Sequence, residues 1–219
     1  MSGRLDVVLV GPPGAGKGTQ AVQLCQREGR AHLSTGDLLR QAIAGGTPLG
    51  LRVKPVVESG RLADDESVLG LVEERLGGPG DRAVLLDGFP RTVRQAEMLA
   101  ELFASRGLAP PVVIEIRVPT EALLARLTSR RTCASCGPRP AGEVDCSGCG
   151  MKLAVRADDD ESVIRERLRV YEAKTAPLVA WYGDVGLLLP VDGEGSPDAV
   201  AARIASVIAE ARARRDVPG

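Results

Sequence analysis

The sequence predicts an α/β fold, a five-stranded parallel sheet flanked by helices with two small inserted lobes, and three observations predict it. Short apolar runs at Asp6–Val10, Ala31–Leu33, Ala83–Leu86, Val112–Val118 and Leu187–Val191 alternate with helical patterns, as a parallel sheet covered on both faces reads. Thr35–Arg61 carries helical segments with no strand between them, broken at Gly45-Gly46 and Gly60, and reads as a helical lobe inserted after the second strand. Thr132–Val155 is rich in Gly, Pro and Cys and has almost no large apolar residue, so it buries no core and takes its shape from a metal. The predicted organisation is one core over 1–219 with inserts at 34–63 and 127–160.

Taken in order, the first apolar run stops at a glycine-rich turn, and Gly16–Glu28 follows as a helix. After the second insert the pattern predicts helices over Asp160–Lys174, Pro177–Gly183 and Ser196–Arg214, the last fraying through Ala211–Gly219. The chain of 219 residues is 44% hydrophobic and 26% charged, the balance of a globular protein able to fold alone. Its 28 basic and 29 acidic residues leave a formal net charge of −1, so no global field draws nucleic acid or an anionic membrane. No apolar run approaches the ~18 residues that span a bilayer, and Met1-Ser2-Gly3-Arg4 leads into a strand-like run rather than a signal-peptide core. The expected compartment is the cytoplasm.

Gly11-Pro12-Pro13-Gly14-Ala15-Gly16-Lys17-Gly18-Thr19 lies between a predicted strand and helix. Glycines there let backbone N–H groups of Gly14 to Thr19 turn inward on phosphate oxygens, the helix dipole adds to the field, and Lys17 reaches the β- and γ-phosphates. A bland glycine turn needs neither the lysine nor the helix behind it. The general pattern has Ser or Thr directly after the lysine; here Gly18 stands there and Thr19 follows.

Ser34-Thr35-Gly36-Asp37-Leu38-Leu39-Arg40 opens the first insert, with Thr35 or Ser34 able to cap a helix that carries Arg40. Asp87-Gly88-Phe89-Pro90-Arg91 follows the third apolar run at the strand end where open α/β sheets place their ligands. An acid and an arginine delivered there suggest magnesium and phosphate. Arg126 and Arg130 lie four apart on one helical face, and Arg165 and Arg167 follow Arg156-Ala157-Asp158-Asp159; taken alone, such pairs read as solvated surface charges. Asp158 and Asp159 either anchor these arginines or cap the next helix. His32, at the end of a strand, reads as structural.

The loop G-x-P-G-x-G-K-G-T resembles that of nucleoside monophosphate kinases, and with the segments at Thr35–Arg40, Asp87–Arg91 and the later arginines the chain resembles the adenylate kinase family over nearly its whole length. The resemblance implies a P-loop kinase core, a helical insert that binds the nucleoside monophosphate, and a small zinc-ribbon-like lid. It implies reversible phosphoryl transfer from Mg-ATP to AMP giving two ADP, with ATP, AMP and ADP as the partners of a monomer. It places Arg126 on the ATP adenine, Arg40 and Arg91 on the AMP phosphate, and Arg130, Arg156 and Arg167 around the moving phosphoryl group, the last two also touching AMP. Asp87 orients water on magnesium. Thr35, Leu62, Ala63, Gly88 and Gln95 form the AMP pocket, and Thr35, where pyrimidine-specific relatives tend to carry Ala, favours AMP; a related kinase with CMP, UMP or GMP as acceptor is the runner-up. Arg131 and Arg165 fall to the surface or behind the site. Such chemistry needs positioning and fixed cations rather than a general base, which suits a chain with one histidine. A nucleotide sensor that binds ATP without transferring phosphate is the reading from another class, and it has no need of arginines from several segments.

Four of the five cysteines form Cys133-x-x-Cys136 and Cys146-x-x-Cys149. Two such knuckles turn four thiolates onto one tetrahedral zinc, and in a reducing compartment metal is favoured over disulfides. With four thiolates the zinc has no open position and is structural. The family's four-cysteine lids usually separate the knuckles by a longer stretch with aromatic and proline residues; here only Gly137–Asp145 intervenes. Cys25 stands apart and reads as a core residue.

Overall fold

The computed structural model describes residues 4–78, 81–129, 131–133, 135, 137–139, 144–154 and 160–215. In chain order the elements are β1 (Val7–Val10), α1 (Lys17–Glu28), β2 (Ala31–Ser34), α2 (Thr35–Ala44), α3 (Pro48–Glu58), α4 (Asp65–Glu73), β3 (Val84–Asp87), α5 (Val93–Ser105), β4 (Val112–Arg117), α6 (Thr120–Ser129), β5 (Arg131–Cys133), β6 (Gly137–Arg139), α7 (Glu161–Val170), a π-helical turn Tyr171–Thr175, α8 (Ala176–Asp184), β7 (Leu188–Asp192) and α9 (Pro197–Arg215). Five strands form one parallel sheet in the order β2-β3-β1-β4-β7.

Side chains alternate across the pleat, so β1, β3, β4 and β7 each feed two cores, while β2 gives Ala31 and Leu33 to one. Val8 and Val10 of β1 join Leu86 with Val68 and Val72 of α4, Leu99 and Phe103 of α5 and Leu178 of α8. Val7 and Leu9 join Leu85 and Ile114 with Leu24 of α1 and Ile204 and Ile208 of α9 on the other face. Burial on both faces is why the strands read as unbroken apolar runs and not as alternating ones. The chain leaves β1 for β2 and β3 on one side, then crosses to β4 and β7 on the other. The crevice opened at that reversal, at the carboxyl ends of the strands, is where such sheets hold ligands.

Helix starts follow the local chemistry. Ser34, Thr47, Asp64, Thr92 and Asp160 each accept a backbone N–H with the side chain and cap α2, α3, α4, α5 and α7. Ser34, and not Thr35, is therefore the cap of α2. Asp160 caps α7; Asp158 and Asp159 lie outside the described residues. The two helices expected over Asp160–Lys174 and Pro177–Gly183 are one continuous helical rod with the π-helical turn in it. Pro177 has no N–H to return to the Ala173 carbonyl, and the backbone widens there instead of breaking.

β5 and β6 pair antiparallel, and Thr132 exchanges backbone hydrogen bonds of 2.9 and 3.0 Å with Ala154. Cys25 is half-buried against the second core, and burial pushes its thiol up to about 11. Among the described residues no helix is long and apolar enough to cross a membrane.

Candidate functional site

The turn between β1 and α1 is shaped by glycines at positive φ, 86° at Gly14 and 93° at Gly16, which a side chain would strain. Gly16 is also the N-cap of α1, and it brings no side-chain acceptor; the first turn holds no acidic residue either. No side chain caps that turn, in contrast to the side-chain-capped helices, and a helix start of this kind suits an anion. Lys17 folds its ammonium over the turn, donating to the carbonyls of Gly11 at 2.7 Å and Pro12 at 2.9 Å.

A cavity of about 630 Å³ opens over this loop, lined by Gly14–Thr19, by Asp87 and Arg91 from the end of β3, by Arg40, and by Arg126 and Arg167. A second of about 70 Å³ adjoins it and is lined by Thr35, Leu62, Ala63, Gly88 and Gln95. Arg40, Arg91 and Arg167 line both. The structure thereby brings together every described residue that the sequence pointed to for nucleotide, although they come from six segments of chain. Arg130 and Arg156 lie outside the described residues.

Each arginine is held by a specific partner. Arg40 pairs with Asp37 at 2.6 Å, one helical turn back on α2. The side chain of Arg91 donates from Nε to the Gly88 carbonyl at 2.7 Å, while its backbone N–H donates to Gln95 Oε1 and its carbonyl accepts from Thr175 Oγ1 at 2.9 Å. Gly88 has φ 81°, and a Cβ there would stand 3.0 Å from Arg91 Nη2 and 3.1 Å from Thr35 Oγ1; only glycine leaves room for both. Arg126 donates to the Gly193 carbonyl at 3.1 Å, just past β7. Arg167 crosses from α7 against Gly60, whose added Cβ would meet its Cγ at 3.0 Å. Arg165, by contrast, is exposed and paired with Glu161 at 2.7 Å.

In the smaller cavity Thr35 is buried and donates to the Gly88 carbonyl at 2.9 Å. Gln95, also buried, accepts from Arg91 and donates to Asp65 Oδ1 at 2.7 Å. The sequence reading missed Asp37, Asp65, Thr175 and Gly193. Asp37 was within reach of an i,i+3 rule; the others sit at sequence distances that no local pattern spans. His32, read as structural, also lines the main cavity, its Nε2 3.6 Å from Asp87 Oδ2.

Cys133, Cys146 and Cys149 bring their sulfurs within 4.8 Å of one another, with Cys133 and Cys149 3.4 Å apart. Burial pushes the Cys146 thiol up, but the amides of Gly148 and Cys149 and the neighbouring thiols outweigh it and bring it to about 6. Soft donors at this spacing, one already biased to thiolate, suit a metal ion. Cys136 lies outside the described residues.

Comparison with known proteins identifies the family. The family whose pattern matches residues 9–187 is described as adenylate kinase. A protein of Moorella thermoacetica named adenylate kinase is 50% identical over 204 residues, 90% of this chain and 94% of its own length. Others of that name are 47% identical in Magnetococcus marinus, over 86% of this chain and 92% of theirs, and 43% identical in Kosmotoga olearia, over 91% and 97%.

Proposed function

The chain belongs to the adenylate kinase family and is an ATP:AMP phosphotransferase, and we propose that Mg-ATP lies on the phosphate loop in the larger cavity while AMP occupies the smaller one. The observation that carries this reading is that Arg40, Arg91 and Arg167 line both cavities. A phosphate presented from each side meets the same cations.

The chemistry follows from that placement. Transfer of a phosphoryl group passes through a loose transition state with charge spread over its equatorial oxygens, and it is accelerated by fixed cations and alignment. Lys17 and the N-terminal amides of α1 hold the donor phosphates, and Arg40 and Arg91 hold the acceptor phosphate. Arg167 meets the group in transit, a role that the family resemblance gives to Arg130 and Arg156 as well, and Arg126 lies on the donor base. Gly14, Ala15, Gly18 and Thr19 complete the cradle. Asp87, a carboxylate at the mouth of β3, suits the hydrated magnesium of the donor, which neutralises charge on the phosphates when bound. No side chain need remove a proton, because the acceptor phosphate is already an anion.

Thr35, Leu62 and Ala63, from the insert at 34–63, surround the acceptor base together with Gly88 and Gln95 from beyond β3. The lid insert at 127–160 closes over the donor and excludes water that would hydrolyse ATP. Cys133, Cys136, Cys146 and Cys149 would hold a structural zinc in it, the cysteine donor set fitting that ion. The protein works as a cytoplasmic monomer on free nucleotides, with neither nucleic acid nor membrane as partner; its formal net charge of −1 supports the lack of those two partners.

Diphosphate formation from Mg-ATP with AMP, CMP, UMP and GMP offered separately tests the reading. Turnover is expected with AMP far above the others. A preference for another acceptor would overturn the role given to Thr35 and Gln95, and ATP binding without transfer to any acceptor would make the protein a nucleotide sensor.

A further inference from the structure

Gln95 sits in the first turn of α5, its own N–H donating to the Thr92 cap, and only 2% of it is exposed. A primary amide can be turned over about its last bond, and the turn exchanges a donor for an acceptor. Two partners select one orientation here. The Arg91 N–H, at 2.7 Å, requires the carbonyl oxygen on its side, and the Asp65 carboxylate, at 2.7 Å, requires the amino group on the other. The turned amide would set oxygen against a carboxylate and N–H against N–H. The bond to Asp65 is charge-assisted and so the stronger of the two.

With both bonds made, the amide keeps one N–H and one lone pair. A 6-aminopurine offers the matching edge, a ring nitrogen that accepts beside an amino group that donates. A 6-oxopurine offers a ring N–H and a carbonyl, which fit only the turned amide. Thr35 agrees with this polarity: its hydroxyl proton is committed to the Gly88 carbonyl, so toward the cavity it can only accept, as an amino group requires.

We infer that Asp65 is a positioning residue that locks the Gln95 carboxamide in the orientation suited to a 6-aminopurine, and so sets the preference for AMP over inosine monophosphate, its 6-oxo counterpart. Asp65 is half-buried on α4 and does not itself line the smaller cavity; it acts through Gln95. The inference rests on the reading of Gln95 as a base-contacting residue.

The test compares kcat/KM for AMP and for inosine monophosphate, with Mg-ATP as donor, in the full chain and four variants. Asp65→Ala, and Asp65→Leu with the volume kept, should each lower the AMP-to-inosine-monophosphate ratio about tenfold, the effect of one lost charge-assisted hydrogen bond. The loss should appear as a raised KM for AMP with kcat little changed. Asp65→Asn still accepts from the Gln95 amino group through its carbonyl and should stay within about threefold of the parent ratio. Gln95→Leu should abolish the preference. A ratio unchanged in both Asp65→Ala and Asp65→Leu while Gln95→Leu collapses it overturns the role of Asp65 alone, as does Asp65→Asn behaving like alanine. A ratio unchanged in Gln95→Leu as well overturns the reading of Gln95 beneath it. A merely structural Asp65 would lower both acceptors alike and move the melting temperature instead of the ratio.

Discussion

At the scale of single residues, Lys17, Arg40, Arg91 and Arg126 are cations each held by a neutral or acidic oxygen, and the holding decides what a substitution does. Arg91 is the plainest case. Its backbone N–H and carbonyl tie Gln95 and Thr175 into the wall of the cleft, while its guanidinium donates from Nε to the Gly88 carbonyl. Arg91→Ala keeps both backbone links, so the protein should stay folded and bind ATP. Removing one cation from a transition state of this charge should lower kcat about 100- to 1,000-fold. Titrated ATP binding beside steady-state turnover checks it, and unimpaired turnover would remove Arg91 from the proposed chemistry. The sequence singled out Arg91 because a motif surrounds it. Nothing local singled out Asp65, 30 positions before the glutamine it holds, since a partner chosen by folding leaves no periodic trace.

At the scale of elements, the boundaries follow from caps and from the lack of one. α4 begins at Asp64, whose carboxylate accepts the Ser67 N–H at 2.8 Å, and it presents Val68 and Val72 to the core. Asp64→Ala should cost about 1 kcal/mol of stability, read from urea unfolding. The Ser67 hydroxyl bonded to Asp64 holds its carboxyl below the ordinary value of 3.8. A group whose pKa is depressed by folding stabilises above its unfolded pKa and loses that contribution as pH falls through the folded one. The difference between parent and variant should therefore be constant at neutral pH and shrink below pH 3.8. A gap that persists in acid would mean that the cap is not the carboxylate. α1 starts the opposite way, on a glycine with no side-chain acceptor, unlike the five helices that a side chain caps, and a helix start of this kind suits an anion.

At the scale of the whole molecule, two cores pack the sheet from either face, whereas the cysteine-bearing segment has few apolar residues to hold it. Cys133 and Cys146 are buried, but Val144 and Met151 beside them are exposed. If zinc staples the lid, chelation should lower the melting temperature by several degrees, with the phosphate-loop site still binding ATP. Calorimetry with and without chelator reads this; an unchanged melting temperature after proven metal loss would detach the metal from stability. The chain's own residues determined the sheet of five strands, the phosphate loop and the paired cysteines, because each is a local pattern: an apolar run, a glycine-lysine turn before a helix, a knuckle of fixed spacing. Tertiary structure alone decided that Arg40, Arg91 and Arg167 face two cavities at once, that one helical rod passes through a π-helical turn at Tyr171–Thr175, and that Asp65 orients Gln95. Those depend on which distant segments the folded sheet brings within 3 Å or so, a distance at which hydrogen bonds are made and about which sequence separation says nothing.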